Sequence, residues 1–202
     1  MAESSILLAT SNPHKLDEVR AVLEPLGYRV LSLDDVPGDH EEPVEAADTF
    51  EGNARLKAVG YAQSTGLQCL ADDSGLEVDA LDGAPGVHSA RYSGVAGDRA
   101  TRDAANNRKL LEALAGVPDD RRTARFVCCM YLADPDGTIR VETRGTFEGI
   151  VTDRPAGANG FGYDPLLYLP DRDCTSAELS PEEKNARSHR GEACRRLAER
   201  LG

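Results

Sequence analysis

The chain contains no tryptophan, and only four of its basic residues are lysines against nineteen arginines. No apolar run approaches the roughly eighteen residues that a membrane-crossing helix needs, so no span is expected. No C-x-x-C pair occurs: Cys69, Cys128, Cys129, Cys174 and Cys194 are odd in number and scattered. That excludes a zinc ribbon or a disulfide framework and points to reduced, mostly buried thiols in a cytoplasmic protein. The stretch MAESSILLATSN lacks a basic segment ahead of a long apolar core, so it is not read as a signal peptide. Positive charge is also in deficit. A net charge of −12 excludes general attraction to nucleic acid or an anionic membrane, while a small anionic substrate needs a local basic cluster or a metal ion.

What is present is ordinary for a globular protein: 40% apolar and 29% charged residues. The 202 residues are expected to form one domain with a sizeable core. Because Arg supplies most positive charge, a Lys marks a place where a compact point charge is needed. Lys15, Lys57 and Lys184 fall in motif-like stretches.

The stretch LADDSGLEVDALDGAPG, from Leu70 to Gly86, organises the rest. A short apolar run closed by Asp72, Asp73, Ser74 and Gly75 reads as a buried strand ending in a tight turn. Acids on such a strand sit on rigid scaffold. Alternate side chains point to opposite faces, so the two acids are expected to do different work.

Upstream, SILLAT reads as a buried strand running into Ser11-Asn12-Pro13-His14-Lys15. Asn12 is a good N-cap and Pro13 a good first helical residue. Strand, polar turn and helix N-terminus together suit an anion, with Thr10, Ser11 and Asn12 as side-chain donors and Lys15 as a charge one turn in. A capping box at Asp48–Glu51 is expected to open a second helix with Phe50, Ala54, Ala58 and Tyr61 buried. Asn53 and Lys57 share one face of it. Glu45, in the acidic loop ahead, is a candidate metal ligand because hard cations prefer several oxygens.

Downstream, a helix is expected over 101–114, an apolar strand over 123–133, a turn at Asp134-Pro135-Asp136-Gly137, and a half-exposed return strand over 139–151. In GANGFGYDP the glycines around Phe161 and Tyr163 suit a loop that brings backbone and an aromatic close to a flat ligand. Its N–H groups could read polar edges of a base, and a strand is expected from Leu166. Ser180, Pro181 and Glu183 mark another helix start, with Lys184, Arg187, His189 and Arg190 clustering cationic donors that phosphate and carbonyl oxygens require.

Five stretches together, LLATSNPHK, TFEGNARLKA, ADDSGLEVDALDGAPGVHSARYSG, PAGANGFGYDP and AELSPEEKNARSHRGEA, make the chain similar to the inosine triphosphate pyrophosphatase family, in particular its bacterial dITP/XTP members. The resemblance implies an α/β fold with an elongated mixed β-sheet flanked by helices, two lobes around a central nucleotide-binding cleft, and a homodimer. It implies hydrolysis of non-standard purine nucleoside triphosphates, with Thr10, Ser11, Asn12, Pro13, His14 and Lys15 on the triphosphate and Asp73 as proton acceptor and Mg2+ ligand. Ser74, Phe161, Gly162, Tyr163, Asp164, Lys184, His189 and Arg190 would complete the nucleotide site.

On this reading Mg2+ held by Asp73, with Glu45 or Asp72, orients the triphosphate. Water attacks the α-phosphorus, and Lys15, Lys57 and the helix N-terminus meet the charge of the leaving pyrophosphate. Two other readings remain: a nucleotide sensor without turnover, and a phosphatase of the dehalogenase type. The second needs an Asp-x-Asp pair, whereas these acids are adjacent.

Overall fold

The computed structural model describes residues 4–38 and 40–201. Among them are the strands β1 (Ser4–Leu8), β2 (Tyr28–Leu31), β3 (Cys69–Val78), β4 (Thr123–Ala133), β5 (Ile139–Val151), β6 (Leu167–Leu169) and β7 (Cys174–Thr175). The α-helices among them are α1 (Pro13–Leu23), α2 (Phe50–Thr65), α3 (Arg99–Ala113), α4 (Pro181–Arg187) and α5 (His189–Leu201). The strands make one mixed sheet in the order β2-β1-β3-β4-β5-β6-β7. β1 pairs in parallel with β2 and β3, and β6 pairs antiparallel with β5 and β7.

The chain divides into two compact units, neither of them continuous in sequence. The first takes the chain up to Asp73, Cys128–Gly145 and the chain from His189; the second takes Ser74–Val127 and Thr146–Ser188. The division runs through β3, β4 and β5.

In the first unit the period-two alternation of strands is used on both faces. Ile6 and Leu8 of β1 and Leu70 of β3 pack with Val19 and Leu23 of α1 and Cys194 and Leu197 of α5. Their neighbours Leu7, Cys69 and Ala71 pack instead with Ala58, Tyr61 and Ala62 of α2. The unit is therefore a sheet between two helical layers. Asn12 caps α1, its Oδ1 accepting from the His14 N–H at 3.1 Å, with Pro13 at the first helical position. The α2 cap lies one residue later than expected: Thr49, not Asp48, accepts from the Gly52 N–H. The turn between β4 and β5 closes through hydrogen bonds from Asp134 N to Thr138 O and from Gly137 N to Asp134 O.

In the second unit one sheet face carries the apolar cluster. Leu76, Val78, Phe126, Phe147 and Val151 pack with Leu110 and Leu114 of α3. On the opposite alternation Arg125 forks onto Asp79 at 2.8 and 3.0 Å and meets Glu148 at 3.0 Å. This is the half-exposed character expected of the β5 stretch.

β3 departs from the sequence reading. It does not stop at the two acids but runs on to Val78, a strand of ten residues from Cys69. Gly75 serves a close approach and not a turn, since a Cβ there would lie 2.4 Å from Ser89 Oγ and 2.6 Å from Gly86 O. The strand expected from Leu166 starts one residue later, after a 3-10 turn at Asp164–Leu166.

Candidate active site

Asp72 and Asp73 are adjacent in a strand, so each meets the helical layer over its own face. Asp72 shares the face of Leu70, under α1 and α5. It is 1% exposed, and its Oδ2 meets Lys15 Nζ at 3.0 Å and Arg190 Nη2 at 3.1 Å, with Cys128 Sγ at 3.7 Å. Burial alone would raise its pKa, but Lys15, Arg190 and Lys57 outweigh this and hold the carboxyl well below the usual range. Arg190 is equally buried and also binds Glu18 of α1. Asp72, Arg190 and Glu18 thus form a buried ionic tie between β3, α5 and α1, with Lys15 held at its edge.

Asp73 shares the face of Ala71, under α2. Its Oδ2 accepts from Asn53 Nδ2 at 3.3 Å and its Oδ1 faces Lys57 Nζ at 3.4 Å. Lys57 Nζ lies 2.8 Å from Glu45 Oε1, and Asn53 Oδ1 accepts from the Ala47 N–H at 3.0 Å. Burial pushes the pKa of Asp73 up; Lys57 and Lys15 oppose the shift, Glu45 and Asp72 add to it, and the result is a raised value. Burial would lower Lys57, but Asp73, Asp72 and Glu45 outweigh it and hold the ammonium above its ordinary value. The two neighbouring acids therefore carry opposite shifts: Asp72 is saturated with cations, while Asp73 is short of positive charge.

That shortage bears on a metal ion. Among the described residues no three His, Cys, Asp or Glu side chains converge on one point, so there is no all-protein cage. Instead two carboxylates, Asp73 and Glu45, face one cation, the Lys57 ammonium. Two carboxylates joined by substrate phosphates are the usual donor set for Mg2+, so these residues fit it.

Of the remaining expected phosphate residues, Thr10 Oγ1 accepts from the Asn12 N–H at 3.1 Å. Ser11, Pro13 and His14 are exposed, and Ser74 is half-buried.

In the second unit the GFGYD loop is held by carboxylates. Asp164 is buried; its Oδ2 accepts from Lys184 Nζ at 2.7 Å and from the Phe161 N–H at 2.8 Å, and its Oδ1 accepts from Ser176 Oγ at 2.9 Å. Gly160 must be glycine for two reasons. Its φ is +73°, and a Cβ would lie 2.1 Å from Asp164 Oδ2. The Gly162 N–H donates to Asp103 Oδ2 at 2.9 Å, and the Asp164 N–H to Phe161 O at 3.2 Å. Tyr163 is buried, donating its hydroxyl to Ser89 O at 2.9 Å. Three of the loop N–H groups expected to read a base are thus already used. What the loop presents is the half-buried Phe161 ring, with Lys184 Nζ 4.8 Å from its centroid. The cationic run after Ser180 is also divided, its Lys and Arg residues going to different carboxylates: Lys184 on Asp164, Arg187 on Asp171, Arg190 on Asp72 and Glu18.

The model of the Ham1 family matches residues 6–200. The chain belongs to the Ham1 family. A dITP/XTP pyrophosphatase of Desulforamulus reducens is 49% identical over 97% of this chain and 94% of its own length. One of Nitratidesulfovibrio vulgaris is 52% identical over 98% and 96%. Among solved structures, a HAM1 protein from Coxiella burnetii superposes with a TM-score of 0.84 at 41% identity, covering 98% of both chains. A nucleoside-triphosphatase / dITP/XTP pyrophosphatase from Mycobacterium abscessus gives 0.76 at 49% identity, covering 96% of this chain and 98% of its own. The mixed sheet flanked by helices is thus the Ham1 architecture.

Within this Ham1 chain, the residue least visible beforehand is Glu18, which looks like an ordinary helix-surface acid until its partner Arg190 is seen. Replacing Arg190 by Met is expected to cost about 3–5 kcal/mol, because it leaves the buried Asp72 with Lys15 alone and takes the cation from the half-buried Glu18. Urea unfolding at neutral pH reads this, and a loss below about 1 kcal/mol, the range of an exposed pair, contradicts it. The sign with pH follows from the lowered Asp72 value. Its stabilisation is complete above the unfolded carboxyl pKa of about 3.9 and is lost as the pH falls below it.

Proposed function

We propose that this Ham1 protein hydrolyses non-standard purine nucleoside triphosphates (dITP, ITP, XTP and dXTP) to the monophosphate and pyrophosphate, clearing them from the nucleotide pool before incorporation into DNA or RNA. The observation that carries the reading is the contrast between the two acids. Asp73 is a buried carboxylate with raised basicity, oriented by Asn53 and Lys57, in a chain about half identical to dITP/XTP pyrophosphatases.

Asp73 takes the proton of the water that attacks the α-phosphorus, a role favoured by a pKa moved toward neutrality. Lys15, Lys57 and the α1 N-terminus, with Thr10, Ser11, Asn12, Pro13 and His14 around it, meet the charge of the departing pyrophosphate. Asp73 and Glu45 would hold Mg2+ together with phosphate oxygens, supplying charge neutralisation to the triphosphate. Asp72 does not share this work, because it lies on the opposite strand face and is neutralised by Lys15 and Arg190. That separation also removes the paired acids that an aspartyl-phosphatase needs. The Phe161 ring stacks with the purine, and Lys184 and His189 supply donors to its 6-oxo group. Ser74, Gly162, Tyr163 and Asp164 complete the nucleotide's surroundings, and Arg190 acts through Asp72 and Lys15. Residues 1–202 serve as one catalytic domain, working as a homodimer in the cytoplasm. The cytoplasmic setting is proposed from the odd, scattered cysteines of the sequence.

A panel of nucleoside triphosphates with product identification tests the proposal: ITP and XTP should give the monophosphate and pyrophosphate. Exhaustive chelation is expected to abolish turnover, and added Mg2+ to restore it with no need for zinc. Undiminished activity after chelation defeats the metal assignment.

A further inference from the structure

We infer that Asp103 and Arg99 of α3 are positioning residues that aim the Phe161 ring and thereby set the protein's preference among bases; this deepens the proposed nucleotide chemistry and rests on it. Arg99, Asp103 and Asn107 are spaced by four, so they form one stripe along α3, and each reaches the same loop. The Arg99 guanidinium carbon lies 4.4 Å from the Phe161 ring centroid, within cation–π range. Asp103 Oδ2 accepts from the Gly162 N–H at 2.9 Å and lies 3.6 Å from Arg99 Nε. Asn107 Nδ2 donates to Gly162 O at 3.0 Å.

The stripe repeats what Asp164 and Lys184 do from within the loop and α4. In both cases one carboxylate binds one loop N–H and one cation, and that cation lies close to the Phe161 ring. Asp164 joins the Phe161 N–H to Lys184; Asp103 joins the Gly162 N–H to Arg99. The ring's orientation is therefore specified from two carboxylates. The Asp103 half is the adjustable one. Asp164 is buried, whereas the side chains of Asp103 and Arg99 are 25% and 37% exposed. Both stand apart from Leu110 and Leu114, through which α3 joins the apolar cluster. Removing Asp103 or Arg99 leaves that packing intact and changes where the ring points. A planar guanidinium matters here as a lysine would not, because it can lie flat against the ring.

The test compares Asp103→Ala, Arg99→Ala and Arg99→Lys with the wild type. It uses steady-state kinetics on ITP and ATP, calorimetric Kd for IMP, and thermal unfolding. Asp103→Ala and Arg99→Ala are each expected to raise KM for ITP and Kd for IMP about tenfold, the scale of one charge-assisted hydrogen bond for Asp103 and of one cation–π contact for Arg99. kcat should change little, and the ITP-to-ATP ratio of kcat/KM should fall. Arg99→Lys should recover part of the loss. If Asp103→Ala folds poorly, Arg99→Ala carries the test, since it leaves the Gly162 hydrogen bond in place. An unchanged IMP Kd in Arg99→Ala, or equal proportional losses on ITP and ATP, overturns the inference. A wild type that binds IMP but does not turn over ITP refutes the proposed function, while the effect of the variants on Kd still decides the role of Asp103 and Arg99.

Discussion

Asp73→Asn is expected to cut turnover of ITP by about 10³-fold or more, the upper range for losing a positioned proton acceptor, while fold and most nucleotide affinity persist. Asparagine keeps the shape of the side chain and an oxygen that Asn53 or Lys57 can reach. It loses the charge and the basicity. The folded state has little to lose, because Asp73 is the acid whose ionised form is under-compensated, and Lys57 retains Glu45 at 2.8 Å. Asp72→Asn should behave in the opposite sense, weakening the fold because the buried Arg190 and the half-buried Lys15 depend on the Asp72 charge. Kinetics, circular dichroism and ITP affinity on the two variants separate these roles. Near-normal activity in a folded Asp73→Asn protein removes this residue from the centre of the mechanism.

The second large effect is discrimination by the base. Hypoxanthine and xanthine carry a 6-oxo acceptor where adenine carries a 6-amino donor, so donors aimed at that oxygen are left unpaired against adenine. Mismatch of this kind can reject an analogue by about 10⁴-fold. The N–H groups of Phe161, Gly162 and Asp164 are taken within the second unit, so the proposal assigns the discrimination to the side chains of Lys184 and His189. ITP and XTP should be hydrolysed readily and ATP barely, and His189→Ala should narrow the gap mainly by slowing ITP. Equal rates on ITP and ATP in the wild type contradict this. Guanine shares the 6-oxo group, so these donors alone do not exclude GTP.

Much of this was legible because it rests on local rules. The Asn12 cap, Pro13 and the Ser180–Glu183 box depend on residues within one turn, and β4 and β5 run over the residues that their periodicity indicated. That Asp72 and Asp73 face opposite helical layers followed from strand alternation alone. The misreadings have a common cause, which is that long-range packing overrides short-range punctuation. Asp-Ser-Gly is a turn signal in isolation, yet Ser89 lies so close to Gly75 that the strand needs a glycine there. That Asn53 and Lys57 share a helix face was legible, but only the position of β3 against α2 turns that face inward onto Asp73. The basic run around His189 read as one cluster because sequence shows cations and not the carboxylates, Asp164, Asp171 and Asp72, that divide them. The α3 stripe carried no signal at all, since Arg99, Asp103 and Asn107 become a set only through their contacts with a loop sixty residues away.

The central claim is that water, deprotonated at Asp73, attacks the α-phosphorus and releases pyrophosphate in one step. Hydrolysis of ITP in ¹⁸O-labelled water tests it most directly, with the products separated and weighed by mass spectrometry. The account predicts one labelled oxygen in inosine monophosphate and unlabelled pyrophosphate. Label in pyrophosphate, or release of orthophosphate as the first product, would contradict it.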